Sequence, residues 1–128
     1  QGQIRESIAE YRKALLLNPD LGVALNSLGW ILATIGDPEV RNSAEAVKLA
    51  ERACKLTNYE NPHTMDTLAA AYASGGRFSD ATDVAEKALQ LMRESEGNAE
   101  RIAAIQERLR LYQSGKMYIK PTLDVSFP

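Results

Sequence analysis

Histidine and cysteine do most of the proton transfer, nucleophilic attack and metal ligation seen near neutral pH, and each occurs once here, as His63 and Cys54. One of each cannot build a zinc site of the common four-ligand kind. His63 follows Pro62 at a helix start, where an exposed first-turn residue is expected. Cys54 sits among Leu49, Ala50, Ala53 and Leu56, the surroundings of a small buried hydrophobe. A lone cysteine has no internal disulfide partner, so nothing requires an oxidising compartment and a cytoplasmic location is favoured. Gly75-Gly76 runs into Arg77 and lacks the Lys-Ser/Thr ending of a phosphate-binding loop. A Ser-His-Asp arrangement would have to use His63 with a serine that no local motif supports. Asp80 and Asp83 are read as part of a solvated helix face. The residue types thus assign no catalytic residue, no metal ligand and no cofactor, and the chain is expected not to be an enzyme.

Binding surfaces remain, and composition narrows their kind. The 128 residues carry a net charge of −2, with 45% hydrophobic and 25% charged residues, ordinary values for a soluble globular domain. Nucleic acid is excluded as a partner class, because a phosphate footprint needs a strong basic excess. No apolar run reaches the roughly 20 residues of a membrane span, so membrane contact is not expected from this segment. Basic residues do gather late, at Arg101, Arg108, Arg110, Lys116 and Lys120 against Glu107 alone. A solvated helix face and tail is the expected reading of that excess.

Three stretches repeat one pattern: a small residue, an alanine seven positions on, and a leucine three beyond it. They are Ser7, Ala14, Leu17; Ala46, Ala53, Leu56; and Ala81, Ala88, Leu91. A second pattern precedes the last two, as Leu25-Asn26-Ser27-Leu28-Gly29-Trp30 and Met65-Asp66-Thr67-Leu68-Ala69-Ala70. Two helix types, A and B, therefore alternate in the order B, A, B, A, B, with a period near 34 residues between Gly2 and Gly36. Asp37-Pro38-Glu39-Val40-Arg41-Asn42-Ser43 enlarges one loop without breaking either helix beside it. Gly29 is expected to face Ala46, and Ala69 to face Ala81. A larger side chain at either place would force the axes apart at a cost of about 1–3 kcal/mol. Leu28, Leu32, Leu68, Tyr72, Phe78 and Val84 fill between the hairpins.

In register, Leu28-Gly29, Gly36, Ala46 and Ala53, then Leu68-Ala69, Tyr72, Gly76, Phe78, Ala81 and Ala88, resemble the signature of the tetratricopeptide repeat (TPR) family. Tyr11, Ala14 and Pro19 match the closing half of an earlier repeat. Thr57-Asn58 departs from the pattern where a closing proline would follow Leu56. The resemblance spans about residues 2 to 92. It implies an all-α fold of antiparallel helical hairpins, stacked as a right-handed TPR solenoid across residues 1–114. The divisions are a half repeat at 2–20, full repeats at 22–60 and 61–93, a C-terminal capping helix at 98–114, and an extended tail at 115–128.

The same resemblance implies a protein-interaction scaffold that binds a protein or peptide along the concave face of its A helices. Val23, Asn26, Ser27, Trp30, Ala33 and Thr34 are expected there from one repeat. His63, Asp66, Thr67, Ala70, Ala73 and Ser74 are expected from the next. None of these positions is basic, so the groove reads as neutral to slightly acidic and unsuited to clamping a C-terminal carboxylate. Trp30 is read either as an anchor for the ligand or as wall packed near Tyr11 and Leu15. Asp66 to Tyr72 and Leu111 to Lys116 also resemble the last repeats of large bacterial proteins, some of them glycosyltransferases. In that alternative the segment positions an acceptor for an enzyme.

Both ends carry expectations. The first helix is a B helix without an A partner, so Ile4 and Ile8 would expose an apolar edge through which the chain self-associates or frays. The last helix has an apolar stripe of Ile102, Ile105, Leu109 and Tyr112 opposite a charged face of Arg101, Gln106, Glu107, Arg108 and Arg110. In the tail, Leu123, Val125 and Phe127 alternate like a strand edge. Either the tail packs loosely on the capping helix, or it lies extended along its own array or a neighbour's.

Overall fold

A computed structural model describes residues 2–95 and 97–121. Those residues form six α-helices and no strand: α1 (Gly2–Leu17), α2 (Gly22–Thr34), α3 (Ser43–Leu56), α4 (Pro62–Ser74), α5 (Phe78–Glu94) and α6 (Ala99–Gln113). Leu123, Val125 and Phe127 lie outside the described residues.

Local chemistry places the helix ends. Asn42 starts α3 by accepting from the backbone N–H of Glu45 at 3.1 Å, and Asn98 starts α6 by accepting from Arg101 at 2.8 Å. Asn61 accepts from the N–H of His63 at 2.8 Å, with Pro62 in the first helical position, where its missing donor costs nothing. Gly76 (φ +81) and Gly115 (φ +71) close α4 and α6 in left-handed conformation. After each, the chain returns an N–H to the third-last helical carbonyl, from Arg77 to Tyr72 and from Lys116 to Leu111, both at 2.9 Å. Asn58 (φ 55) closes α3 in the same way, with Tyr59 donating to the Cys54 carbonyl at 2.8 Å. The missing proline after Leu56 is thus replaced by an asparagine that tolerates this conformation.

Each helix packs on the next, so the short connections make a run of antiparallel hairpins. The long loop between α2 and α3 is pinned from within. Arg41 donates to the Ile35 carbonyl at 3.0 Å, and the Asn42 N–H to that of Leu32 at 3.0 Å. Beyond the sequential pairs, α2 packs on α4 and α4 on α6, whereas the backbones of α1, α3 and α5 stay apart, α1 reaching α3 through the Arg12–Glu45 ion pair. The row α2–α4–α6 is therefore the tighter, inner side, and the other row is the splayed outer side.

Small residues permit that closeness. Ala46, Ala50, Ala69, Ala81 and Ala88 are fully buried. A Cβ built on Gly29 would sit 3.5 Å from the Thr67 methyl and 3.6 Å from the Ala46 carbonyl, which is ordinary contact. Alanine would fit at 29, and anything longer would meet α3 and α4. Leu28, Leu32 and Leu68 form the main core with Ala33, Ala70 and Ala71, and Tyr11 and Leu15 of α1 pack against it.

The N-terminal edge differs from expectation. Ile4 and Ile8 are half-buried, and the exposed apolar residues are Leu16 and Leu17, 84% and 88% exposed, at the end of α1. A helix with a single neighbour turns its first apolar stripe onto that neighbour and leaves the remaining leucines in water. No described helix is long and apolar enough to cross a membrane.

Candidate functional site

Three helices of the inner row present side chains at one spacing. Val23, Asn26, Ser27 and Trp30 lie at i, i+3, i+4 and i+7 along α2, a single stripe by helical geometry. His63, Asp66 and Thr67 begin the same stripe on α4. Arg101, Ala104, Ile105 and Arg108 repeat it on α6. Together with Tyr11, Tyr118 and Lys120 they line an open pocket of about 960 Å3.

Seven of the residues expected on the concave face line this pocket: Val23, Asn26, Ser27, Trp30, His63, Asp66 and Thr67. Thr34, Ala70 and Ser74 do not. Thr34 is buried at the end of α2, its hydroxyl donating to the Trp30 carbonyl at 2.7 Å. Ala70 belongs to the core, and Ser74 donates to the Ala71 carbonyl at 2.7 Å. Ala33 and Ala73 are likewise buried core residues. Trp30 serves as wall, 8% exposed, in the cluster against which Tyr11 and Leu15 pack.

The charge of the groove departs from the sequence reading. Arg108 does not sit on a solvated face. Its side chain is 14% exposed and grips Asp66, 15% exposed, with Nε to Oδ1 at 3.1 Å and Nη2 to Oδ2 at 2.6 Å. Two parallel charge-assisted bonds fix the guanidinium plane. Burial works against the charge of Arg108, and the Asp66 carboxylate more than offsets it, leaving the guanidinium above its ordinary pKa. The same group lies 5.2 Å from the centre of the Trp30 ring and 5.3 Å from that of Tyr118. Arg101 approaches His63 Nδ1 at 3.4 Å, a contact that needs a neutral imidazole with Nδ1 as acceptor. With Lys120, three basic side chains enter a groove that α2 and α4 alone leave without any, against Asp66 and Glu100. The signal for this was the stripe spacing, which α6 shares with α2 and α4.

Residues 116–121 cross the inner row without regular structure. The rings of Tyr118 and Trp30 stack with centres 5.8 Å apart and a 38° tilt. The Lys120 N–H donates to the Thr34 carbonyl at 2.8 Å, and Ile119 approaches Gly36. Three buried polar atoms have no hydrogen-bond partner among the described residues: Asn26 Oδ1, Trp30 Nε1 and Tyr112 Oη. Asn26 and Trp30 stand one helical turn apart on α2, with both of these atoms closed off from solvent. Burial pushes the Tyr112 hydroxyl far above its usual pKa, with the Asp66 charge adding to the effect. Cys54 is fully buried away from the groove, its thiol pushed up to about 11, mainly by burial. The described residues contain no cluster of three or more histidines, cysteines or carboxylates able to hold a metal ion.

Comparison of the chain with protein-family models, with curated proteins and with solved structures found no match.

Proposed function

We propose that this chain is a peptide- or protein-binding module of the tetratricopeptide type, a right-handed stack that receives an extended segment along its inner row. The observation carrying this reading is the convergence of three equally spaced stripes, on α2, α4 and α6, upon one open pocket of about 960 Å3. Two features of the wall suit a peptide. Asn26 and Trp30 line it one turn apart, a polar amide beside an apolar ring. Val23 leaves 73% of its surface exposed at the rim, ready to be covered. In this reading the chain holds its ligand and performs no chemistry on it. An affinity on the order of micromolar is expected from so few repeats, since much of the gain goes to ordering the peptide.

Selection from a library of extended peptides supplies the ligands, and two surface variants locate their binding. Val23→Glu and Arg101→Glu alter the pocket rim without entering the core, so circular dichroism should be unchanged. Selected peptides are expected to bind both variants at least tenfold more weakly. Peptides indifferent to both changes would move binding off the inner row and defeat the proposal.

A further inference from the structure

Residues 117–120 are an irregular segment, yet they make defined contacts with the inner row. Tyr118 packs against both of the larger core clusters. Its ring meets Trp30 on one side and the Arg108 guanidinium on another. That guanidinium is also gripped by Asp66. Met117 and Ile119 add apolar contacts, and a backbone contact two residues on is generic. The Lys120 N–H fills the Thr34 carbonyl in the last turn of α2, a group with no partner inside its own helix. A pre-built wall of Trp30 and Arg108 plus one helix-end carbonyl asks little of its occupant: an aromatic ring, and a backbone N–H two residues further on. Nothing in that requirement needs the occupant to belong to the same chain.

We propose that the inner row contains a receptor for the aromatic side chain of an extended peptide, filled in this chain by Tyr118 and open to exchange with a tyrosine-bearing segment of a partner. The proposal rests on the peptide-binding reading above and names its ligand class. The cis segment leaves α6 through Gly115, three residues before Tyr118, so its local concentration at the site is in the millimolar range or above. A partner peptide must outcompete that, and the intact chain binds such peptides weakly. Weakening the cis segment opens the site.

Trp30 is the only tryptophan in the chain and reports directly on the stack. The probe is an end-blocked hexapeptide with the sequence of residues 116–121, Lys-Met-Tyr-Ile-Lys-Pro, beside a counterpart with alanine in place of tyrosine. Titrated against the full chain carrying Tyr118→Ala, the tyrosine peptide should bind at least tenfold more tightly than to the unaltered chain. It should shift Trp30 emission back toward the unaltered spectrum, and the alanine peptide should bind at least tenfold more weakly. Tyr118→Leu keeps apolar bulk should Tyr118→Ala lose its fold, and it should open the site likewise. Tyr118→Phe retains the ring and should stay closed. Equal affinity for the open and closed chains, or equal binding of the two peptides, overturns the proposal. If that happens while library-selected peptides still lose affinity on Val23→Glu and Arg101→Glu, the groove reading stands and only the aromatic receptor falls.

Discussion

Helices α1 and α4 both carry apolar residues along their length, α1 among Arg5, Glu6, Glu10, Arg12 and Lys13 and α4 with Asp66 alone, and they meet opposite fates. α4 packs on α2, α3, α5 and α6, and eight of its thirteen residues are buried. α1 packs on α2 and reaches α3 only through the Arg12–Glu45 ion pair, and none of its sixteen residues is buried. Apolar content does not separate them, because α1 carries Ile4, Ile8, Tyr11, Leu15, Leu16 and Leu17. The number of neighbours does. In a stack each helix buries one stripe per neighbour, so the same apolar residues are core in the middle and surface at the edge. The candidate site follows the same rule. Its stripes lie on the inner helices, which have neighbours to hold them in register, and α1 contributes Tyr11 alone.

The sharpest way to break this contrast is to remove an ion-pair partner from each helix. Asp66→Ala on α4 leaves Arg108 charged, largely buried and unpaired, so it should cost about 3–5 kcal/mol in urea unfolding. Arg12 of α1 pairs with Glu45 at an exposed position, and Arg12→Ala should cost less than about 1 kcal/mol. Equal costs would mean that α1 is held as firmly as α4.

Alkaline unfolding gives the next largest effect, because Cys54 is sealed beneath the first turn of α4, its thiol 3.4 Å from the Thr64 carbonyl. Its folded pKa is raised to about 11, from 9.0. The unfolded chain therefore loses this proton first as pH climbs, and stability that is intact below pH 9 declines toward pH 11. The stability gap between the unaltered chain and Cys54→Ala should narrow by about 2 kcal/mol across that window. A constant gap would mean the thiol is not sealed.

The smallest effect probes the spacing of α2 against α4. Gly29→Ala adds a methyl at ordinary contact distance from Thr67 and Ala46 and removes a glycine from a helix interior. It should stabilise the protein by about 0.5–1 kcal/mol in the same urea assay. A loss of stability would show that the helices approach more closely at this point than their contacts indicate.

Much of the architecture was legible in the residues. The recurring alanines placed the hairpin interfaces, and the run from Asp37 to Ser43 placed the long loop. Pro62 marked a helix start where it occurs. These features are local: an Asn cap or a left-handed glycine acts through atoms within a few residues of itself. The groove stripe on α2 and α4 was legible as far as Trp30 and Thr67 and failed beyond them. Thr34, Ala70 and Ser74 share the helical spacing, but neighbouring side chains or the helix's own carbonyls absorb them.

The sequence by itself determined six helices, their order, and the small-residue positions that bring them close. Those follow from periodicity, capping and side-chain volume, which any short window of the chain carries. Only the tertiary structure decided which charges enter the groove and what lies across it. Arg108 looks like any exposed helix arginine until α6 is set against α4, 42 positions away from Asp66. Tyr118 belongs to a tail that the residues alone leave either loose on the capping helix or extended along an array, until the chain turns at Gly115 and its ring meets Trp30. Pairings over such distances depend on how helices are oriented against one another. That orientation is set by the packing of the whole stack and not by any one segment of it.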